Sequence, residues 1–199
     1  LYPERIEENQ QILEKAGAPR ADEYSGEEGW KQLCERDDLD LVYIVTPWLQ
    51  HVPMAVYAME HGKHVALEVP AAQSVAECWQ LVDTSERTRR HCMMLVYDFF
   101  ELTTLNMAQQ GLFGEIIHAQ GGYIHCLEQY WSSYQGDWRL DFNRRHAGDI
   151  YATHGLGPVC QALNIHRGDR MTWLVSLSSG QFGMTRYAAE RFGKEAPEA

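Results

Sequence analysis

Tyr151 and His154 are the two residues of this sequence whose types and spacing best suit proton transfer. They lie three positions apart, so in a helical turn they share a face and can converge on one substrate. Phenol and imidazole groups both carry protons, and imidazole does so nearest to neutral pH. The alternative is a core histidine stacked on a tyrosine. The aromatic stretch 127–148 just before them could stack on sugar rings, which favours a binding site.

Two short segments follow predicted strands, at the edge where a parallel sheet binds its ligands. The first contains Trp48, which could lie against a cofactor ring, and His51, which could donate a hydrogen bond to it. A turn imposed by Pro47 is the alternative interpretation. The second segment contains Glu68, which could hold a ribose hydroxyl or could be an exposed loop acid.

Two weaker candidates lie in the second half of the sequence. Tyr123 follows two glycines in a predicted strand, and Arg139 offers a cation beside Trp138. A solvated arginine is the alternative for Arg139. The nine histidines lack the spacing of a metal motif such as H-E-x-x-H, and the five cysteines are scattered without a C-x-x-C pair, so no metal site is predicted.

The composition is that of a globular protein and excludes several classes. The 199 residues carry a net charge of −11, which argues against general nucleic-acid binding because that needs a basic face. No apolar run approaches the roughly 20 residues of a membrane-spanning helix. The sequence opens at Leu1 rather than at Met, and we expect it to be a piece of a longer protein.

Three apolar segments in the first half predict a parallel sheet with helices between its strands. The predicted strands are 41–45, 64–68 and 92–97, and the predicted helices are 52–61 and one that begins at a capping box at 74. Strands and helices alternating at these spacings form right-handed crossovers. The continuously apolar strand 41–45 is expected to be buried on both faces. The predicted fold class is α/β, with residues 1–97 forming the C-terminal part of a Rossmann-like dinucleotide-binding domain.

The second half, residues 98–199, is predicted to be an incomplete α+β domain for substrate binding and oligomerisation. Its predicted helices are 101–110 and 157–164, and its predicted strands are 115–125 and 172–178. The stretch 127–148 is expected to be a long functional loop. The last twenty residues are expected to be a loop or a frayed terminus.

Several motifs resemble known enzymes. Thr46-Pro47-Trp48 with His51, and Gly62-Lys63-His64-Val65 with Glu68-Val69-Pro70, resemble the glucose-fructose oxidoreductase and inositol dehydrogenase superfamily. Within that superfamily, three segments resemble glycoside hydrolase family 109, the NAD-dependent N-acetylgalactosaminidases. They are Leu105–Glu115, Gly121–His125 and Gly148–Pro158 with its continuation through Gly168.

The resemblance implies hydrolysis with NAD as cofactor. Hydride leaves C3 of the sugar, a proton leaves C2, the glycosidic oxygen departs from C1, water adds, and the hydride returns. Contacts with NAD are implied for Trp48, Leu49, Gln50, His51, Glu68, Val69 and Tyr151. Contacts with the sugar are implied for Tyr123, Arg139, Tyr151, Ala152, Thr153 and His154. Catalytic proton transfer is expected of Tyr123, Tyr151 and His154.

Two substitutions favour this family over plain dehydrogenases. Val69 stands where those enzymes usually carry the Lys of a Glu-Lys-Pro triplet, and Ile150 stands where they usually carry an acid. The glycine-rich phosphate loop and a Glu-Asn pair usual in the family do not occur in this chain. One alternative is an NAD(P)-dependent sugar oxidoreductase of the same superfamily, against which Val69 speaks. The other, suggested by the missing glycine loop, is a non-catalytic sugar-binding subunit. We also expect a homo-oligomer and, from the resemblance, an exported bacterial protein.

Overall fold

The computed structural model describes residues 3–96, 99–134, 137–146, 148–180 and 182–194. Its contacts divide the chain into two compact units, Leu1–Leu95 and Val96–Ala199. The predicted strand 92–97 forms as Cys92–Leu95, and Tyr97, its predicted last residue, lies outside the described residues.

The first unit alternates helices with strands. In chain order these are α1 (Pro3–Lys15), α2 (Gly29–Cys34), β1 (Leu41–Ile44), a 3-10 turn (Trp48–Gln50), α3 (His51–Glu60), β2 (His64–Glu68), α4 (Val75–Thr88) and β3 (Cys92–Leu95). The strands pair in parallel in the order β1-β2-β3, which confirms the predicted α/β sheet. The predicted cap opens α4, because Ser74 Oγ accepts a hydrogen bond from the Glu77 amide at 3.2 Å.

The core of this unit lies between the sheet and α3. Val42, Ile44, Val65 and Leu67 project from β1 and β2 and are buried. The facing side chains of α3 are buried with them, namely Met54, Ala55, Ala58 and Met59. The two alanines are small, which allows the helix to lie close to the strands.

β1 buries one face, not the two that its apolar sequence predicts. Leu41 and Tyr43 are 55% and 52% exposed, whereas Val42 and Ile44 are buried. The strand order explains the difference. Two successive right-handed crossovers in the same direction place α3 and α4 on the same side of the sheet, where they pack against each other. The prediction of a strand covered on both sides is wrong for the described residues.

Met59 provides a test of this core. It has no exposed surface, so Met59→Ala should lower the free energy of unfolding of the first unit by about 2–5 kcal/mol through lost burial and a cavity. Met93→Ala is the matched control, because Met93 is 57% exposed and its truncation should change stability by about 0.5 kcal/mol or less. Chemical denaturation followed by circular dichroism measures both. Equal losses for the two variants would contradict the assigned core.

The second unit is helical in its described residues. Its elements are α5 (Phe99–Gln109), a 3-10 segment (Glu128–Tyr134), α6 (Trp138–Arg145), α7 (Ala152–Ala162) and α8 (Gly183–Phe192). α5 packs against α7, and α6 packs against the 3-10 segment. None of the helices in the described ranges combines the length and the apolar character needed to cross a bilayer.

Several element predictions for this unit are wrong. Residues 115–125 and 172–178 form no strand, because a strand requires a paired neighbour and neither segment has one among the described residues. Their apolar side chains are open to solvent, as Ile117 and Leu177, both 92% exposed, illustrate. The predicted loop 127–148 instead contains the 3-10 segment and α6, and α8 occupies the predicted loop or frayed terminus.

Candidate functional site

The carboxyl ends of β1 and β2 carry six of the seven residues expected to contact NAD, and the seventh, Tyr151, lies in the second unit. Trp48 and Val69 are buried, with 5% and 9% of their surface exposed, and Glu68 is half-buried at the last position of β2. Leu49 is 60% exposed on the 3-10 turn, and Gln50 beside it is half-buried. The fold therefore brings the two predicted segments together at one edge of the first unit. Their buried residues stabilise this edge, and their exposed residues form its surface.

His51, the first residue of α3, is fully buried. Its Nδ1 lies 2.8 Å from the Pro70 carbonyl oxygen, and its Nε2 lies 2.9 Å from the Thr46 carbonyl oxygen. Both ring nitrogens thus face backbone. A hydrogen bond from His51 to a cofactor remains a prediction, and the ring as it stands connects the chain after β1 to the chain after β2.

The Glu68 carboxylate is held by a residue that the sequence analysis missed. The Tyr43 hydroxyl donates to Glu68 Oε1 at 2.6 Å, and this hydrogen bond is the main cause that raises the pKa of Tyr43. Tyr43 pairs with Ala66, so Glu68 is its diagonal neighbour on the same face of the sheet. The sequence could have indicated this hydrogen bond, since a tyrosine and a glutamate at diagonal positions of adjacent strands lie within contact distance.

These strand ends fit the hydroxyl-bearing part of NAD. Glu68 keeps a second oxygen, Oε2, that can accept a hydrogen bond from a ribose hydroxyl while Oε1 is held by Tyr43. The exposed Leu49 and the half-buried Gln50 offer surface beside it. No cluster of metal-binding side chains occurs among the residues that the structure describes.

Tyr43→Phe should weaken NAD binding by about 3- to 10-fold, because a hydrogen bond to a charged group contributes about 1 kcal/mol when partly exposed. Calorimetric titration of the whole protein with NAD measures this. Tyr57→Phe is the matched control, since it removes a Tyr–Glu hydrogen bond, to Glu35, away from the strand ends. Equal affinities for Tyr43→Phe and wild type would contradict a role for Tyr43 in orienting Glu68.

In the second unit the three residues expected to transfer protons lie together. The Tyr123 ring is 4.7 Å from the Tyr151 ring and 4.5 Å from the His154 ring, between centroids, with interplanar angles of 22° and 19°. The Tyr151 and His154 rings are 6.0 Å apart. His125, which was not among the expected residues, adds a ring 4.4 Å from Tyr123.

Tyr123, Tyr151 and His154 are called the aromatic cluster below. The start of α7 fixes the positions of two of them, Tyr151 and His154. Tyr151 occupies the N-cap position, and the His154 amide donates to the Tyr151 carbonyl oxygen at 3.0 Å. Asp149 Oδ1 accepts from the Tyr151 amide at 3.0 Å and so fixes the turn before the helix. Sequence reasoning missed Asp149, although an aspartate two positions before a helix N-cap can hydrogen-bond the backbone of the turn there. Ala152 and Thr153 form the first turn of α7 and are half-buried.

A contact between two glycine segments brings Tyr123 to the helix. A Cβ atom on Gly121 would stand 2.2 Å from the Gly155 carbonyl oxygen, and one on Gly155 would stand 3.1 Å from the Gly122 backbone. Only glycine permits so close an approach of two backbones. The segment that carries Tyr123 therefore lies directly on the first turns of α7.

The surroundings of Tyr123 keep its phenol protonated. Partial burial raises its pKa, the neighbouring Tyr151 raises it further, and the positive charge of Arg139 opposes both. The Arg139 guanidinium lies 4.5 Å from the Trp138 ring centroid, at the start of α6. Arg139 thus acts electrostatically on the aromatic cluster, which can donate, accept and relay protons at a polar substrate.

The comparisons with known proteins also divide the chain into two parts near residue 96. Residues 97–199 match the family model for the C-terminal domain of glycosyl hydrolase 109, and residues 1–96 match that of the oxidoreductase family with an NAD-binding Rossmann fold. Glycosyl hydrolase family 109 protein 1 of Bacteroides thetaiotaomicron is 59% identical over 202 residues, covering 100% of this chain and 43% of the relative. An alpha-N-acetylgalactosaminidase of Bacteroides fragilis is 61% identical over 199 residues, covering 96% of this chain and 47% of the relative.

Among solved structures, aldose-aldose oxidoreductase from Caulobacter crescentus is 26% identical, with a TM-score of 0.45 over 55% of this chain and 32% of that one. The chain spans less than half the length of the two curated relatives named above. The glycosyl hydrolase match covers more than half of this chain, and the chain belongs to glycosyl hydrolase family 109.

Proposed function

We propose that the whole protein containing this chain is an NAD-dependent glycosidase that cleaves N-acetylgalactosaminides by transient oxidation at C3. The observation that carries the proposal is the aromatic cluster, in which two phenols and an imidazole lie within 6.0 Å of one another between ring centroids. Such a cluster supplies proton transfer without a carboxylate nucleophile. The name of the Bacteroides fragilis relative supports the choice of sugar.

The chemistry that bound NAD supplies is reversible hydride transfer at C3 of the sugar. Glu68, oriented by Tyr43, would hold a ribose hydroxyl of the cofactor. Trp48 and Val69, which are buried, would support the loops beside it. Leu49 and Gln50 would line its surface.

His154 and Tyr151 would remove the proton of the sugar 3-hydroxyl and later return it. As that hydroxyl becomes a carbonyl its proton must leave, and an imidazole beside a phenol can take it and later return it. Tyr123 would act at C2 or at the departing glycosidic oxygen. Its raised pKa keeps the phenol protonated and able to donate to that oxygen. Arg139, Ala152 and Thr153 would contact the sugar and orient it.

The sequence of bond changes requires no other oxidant. Once C3 is a ketone, the C2–H would be acidic, loss of that proton would expel the glycosidic oxygen from C1, and water would add to the resulting enone. Bound NAD would supply the hydride transfer before and after these steps. The sum is hydrolysis without net oxidation. Val69, at the position where dehydrogenases usually carry a lysine, is consistent with a reaction that does not stop at the ketone.

The test uses the whole protein with 4-nitrophenyl N-acetyl-α-D-galactosaminide and NAD at the same concentration as the substrate, and follows nitrophenolate and NADH absorbance together. We expect many turnovers of nitrophenolate and no accumulation of NADH. NADH formed one-for-one with substrate would instead indicate a sugar oxidoreductase. No change in either signal would contradict the proposal for this sugar.

Deuterated water sharpens the test of mechanism. Elimination and addition exchange the proton at C2, so the released sugar should carry deuterium there. Direct displacement at C1 leaves the C2–H bond intact. Mass spectrometry of the product distinguishes the two, and a product without deuterium at C2 would contradict the elimination pathway.

A further inference from the structure

A cavity of about 500 Å³ lies in the second unit between the 3-10 segment, the turn before α7 and the start of α8. This volume is within the range of about 300–1,000 Å³ that is usual for small-molecule sites. Its wall includes one large aromatic ring, small residues and polar groups, namely Trp131, Gly148, Asp149, Ser178, Ser179 and Gly183. None of these residues takes part in the proton transfers described above.

The ring of Trp131 is held in place by α8. It packs edge-to-face against the Tyr187 ring, with 5.3 Å between centroids and an interplanar angle of 68°. A Cβ atom on Gly183 would stand 3.2 Å from the Trp131 ring, so the absence of a side chain there leaves room for the indole. Trp131 is half-buried, and it therefore offers the cavity a fixed aromatic surface that part of a ligand can cover.

Asp149 connects this cavity to the aromatic cluster. Its Oδ1 accepts a hydrogen bond from the Tyr151 amide at 3.0 Å, and its second oxygen, Oδ2, can accept one from a ligand. The hydroxyl groups of Ser178 and Ser179, elsewhere on the wall, can both donate and accept. A Cβ atom on Gly148 would meet nothing within 4 Å, so the cavity is open beside Asp149.

These groups suit a sugar ring. One face of a pyranose presents C–H groups, whose partial positive charge favours contact with the negative face of an indole. The hydroxyl groups around the ring can donate to a carboxylate and exchange hydrogen bonds with serine. None of the described residues that line the cavity is cationic, which argues against a phosphate or carboxylate ligand.

We propose that this cavity binds the leaving-group sugar, that is, the ring joined through the glycosidic oxygen to the sugar that is cleaved, with Trp131 as its stacking surface. The inference rests on the proposed function, in which the aromatic cluster acts at C1, C2 and C3 of the cleaved sugar. A group attached to C1 must therefore lie beside the cluster, as the cavity does through Asp149, whereas substituents at C4 and C6 need not. The protein would then favour glycans over glycosides with a small leaving group.

The first test compares two substrates that differ only in the leaving group, with the whole protein and NAD. They are methyl N-acetyl-α-D-galactosaminide, which has no second ring, and N-acetyl-α-D-galactosaminyl-(1→3)-D-galactose. Trp131→Ala should lower kcat/KM for the disaccharide by about 10-fold, through loss of one packed aromatic contact, and leave kcat/KM for the methyl glycoside near wild type. Chromatography of the released N-acetylgalactosamine measures both.

Two further variants control this comparison. Trp131→Phe keeps an aromatic ring and should recover part of the loss. Trp173→Ala is the matched control, because Trp173 is 79% exposed and lies outside the cavity, so its truncation should affect neither substrate. An equal fall for both substrates in Trp131→Ala would show that Trp131 only supports the fold, and this result or wild-type values for both would overturn the inference.

The second test detects the second ring without turnover. Saturation-transfer NMR of the disaccharide with the whole protein, with NADH in place of NAD, reports which sugar protons contact the protein. We expect transfer to the galactose protons in wild type and its loss in Trp131→Ala. Transfer confined to the N-acetylgalactosamine ring would overturn the inference. If wild type hydrolyses neither glycoside while transfer to galactose still depends on Trp131, the proposed function fails and the cavity remains a sugar site.

Discussion

Gly121→Ala should lower kcat/KM of the whole protein for the nitrophenyl glycoside by about 100-fold, since a displacement of about 1 Å at a catalytic group costs that much. The added Cβ would stand 2.2 Å from the Gly155 carbonyl oxygen, and both partners are backbone, so the segment must move away from α7. Tyr123, two residues later, would move with it and away from Tyr151 and His154. Steady-state kinetics measures the effect.

Gly122→Ala is the matched control for this substitution. A Cβ at Gly122 meets only the Ile124 side chain, at an ordinary 3.5 Å, and should leave activity near wild type. Thermal unfolding distinguishes a displaced Tyr123 from a less stable protein. Overpacking at Gly121 should lower the free energy of unfolding by about 1–3 kcal/mol whether or not the protein is a glycosidase. Full activity and stability in Gly121→Ala would show that the close approach of the two backbones does not hold Tyr123.

Tyr151→Phe and His154→Gln should each lower kcat by about 100- to 10,000-fold, the range expected for loss of a group that transfers a proton. Phenylalanine preserves the ring that stacks on Tyr123 at 4.7 Å and removes only the hydroxyl, so a large loss would assign the effect to chemistry rather than packing. The two effects should be far from additive, because the residues act on one proton.

Tyr130→Phe serves as the control for these variants. Tyr130 is 52% exposed on the 3-10 segment and lies outside the aromatic cluster, so its activity should stay near wild type. Single-turnover measurements with NAD bound would show whether the slow step in Tyr151→Phe is NADH formation. If Tyr151→Phe turned over at the wild-type rate, its hydroxyl would have no part in proton transfer.

The sheet was predictable because its signal is local. Continuous apolar segments such as Leu41–Ile44, separated by helices with clear stops, specify parallel strands without reference to the rest of the chain. What such segments do not encode is the side on which each helix packs. That follows from strand order, which is why β1 has an exposed face despite its apolar sequence.

The second unit was less predictable because its elements depend on partners. The apolar alternation around Ile117 predicts a strand, but an extended segment becomes one only when a neighbour pairs with it. α6 was hidden among aromatic residues, although Asp137, whose Oδ1 accepts from the Arg139 amide at 2.7 Å, is an N-cap that could have been recognised. Pro158 inside α7 similarly hid the first half of that helix.

The residues of the site were likewise predictable where the signal is local and not where it depends on distant partners. The spacing of Tyr151 and His154 predicts a shared face, and the two rings do converge on Tyr123. Spacing cannot predict whether a ring turns inward, and His51 turns fully into the protein. Tyr43 was overlooked because it meets Glu68 through strand register, which single residues do not reveal.

The exposed face of the sheet has a consequence for the solution behaviour of the first unit. Tyr43 on β1 and Met93 on β3 are exposed on the side opposite α3, whereas Ala66 between them is buried, and Leu41 extends the exposed surface along β1. Exposed apolar side chains on this face promote self-association, and the outer edges of β1 and β3, which pair with no further strand among the described residues, add to it. Residues 1–95 produced alone should therefore be colloidally unstable. Their sedimentation should depend strongly on protein concentration and weakly on salt, since apolar rather than charged contacts would hold the aggregates together.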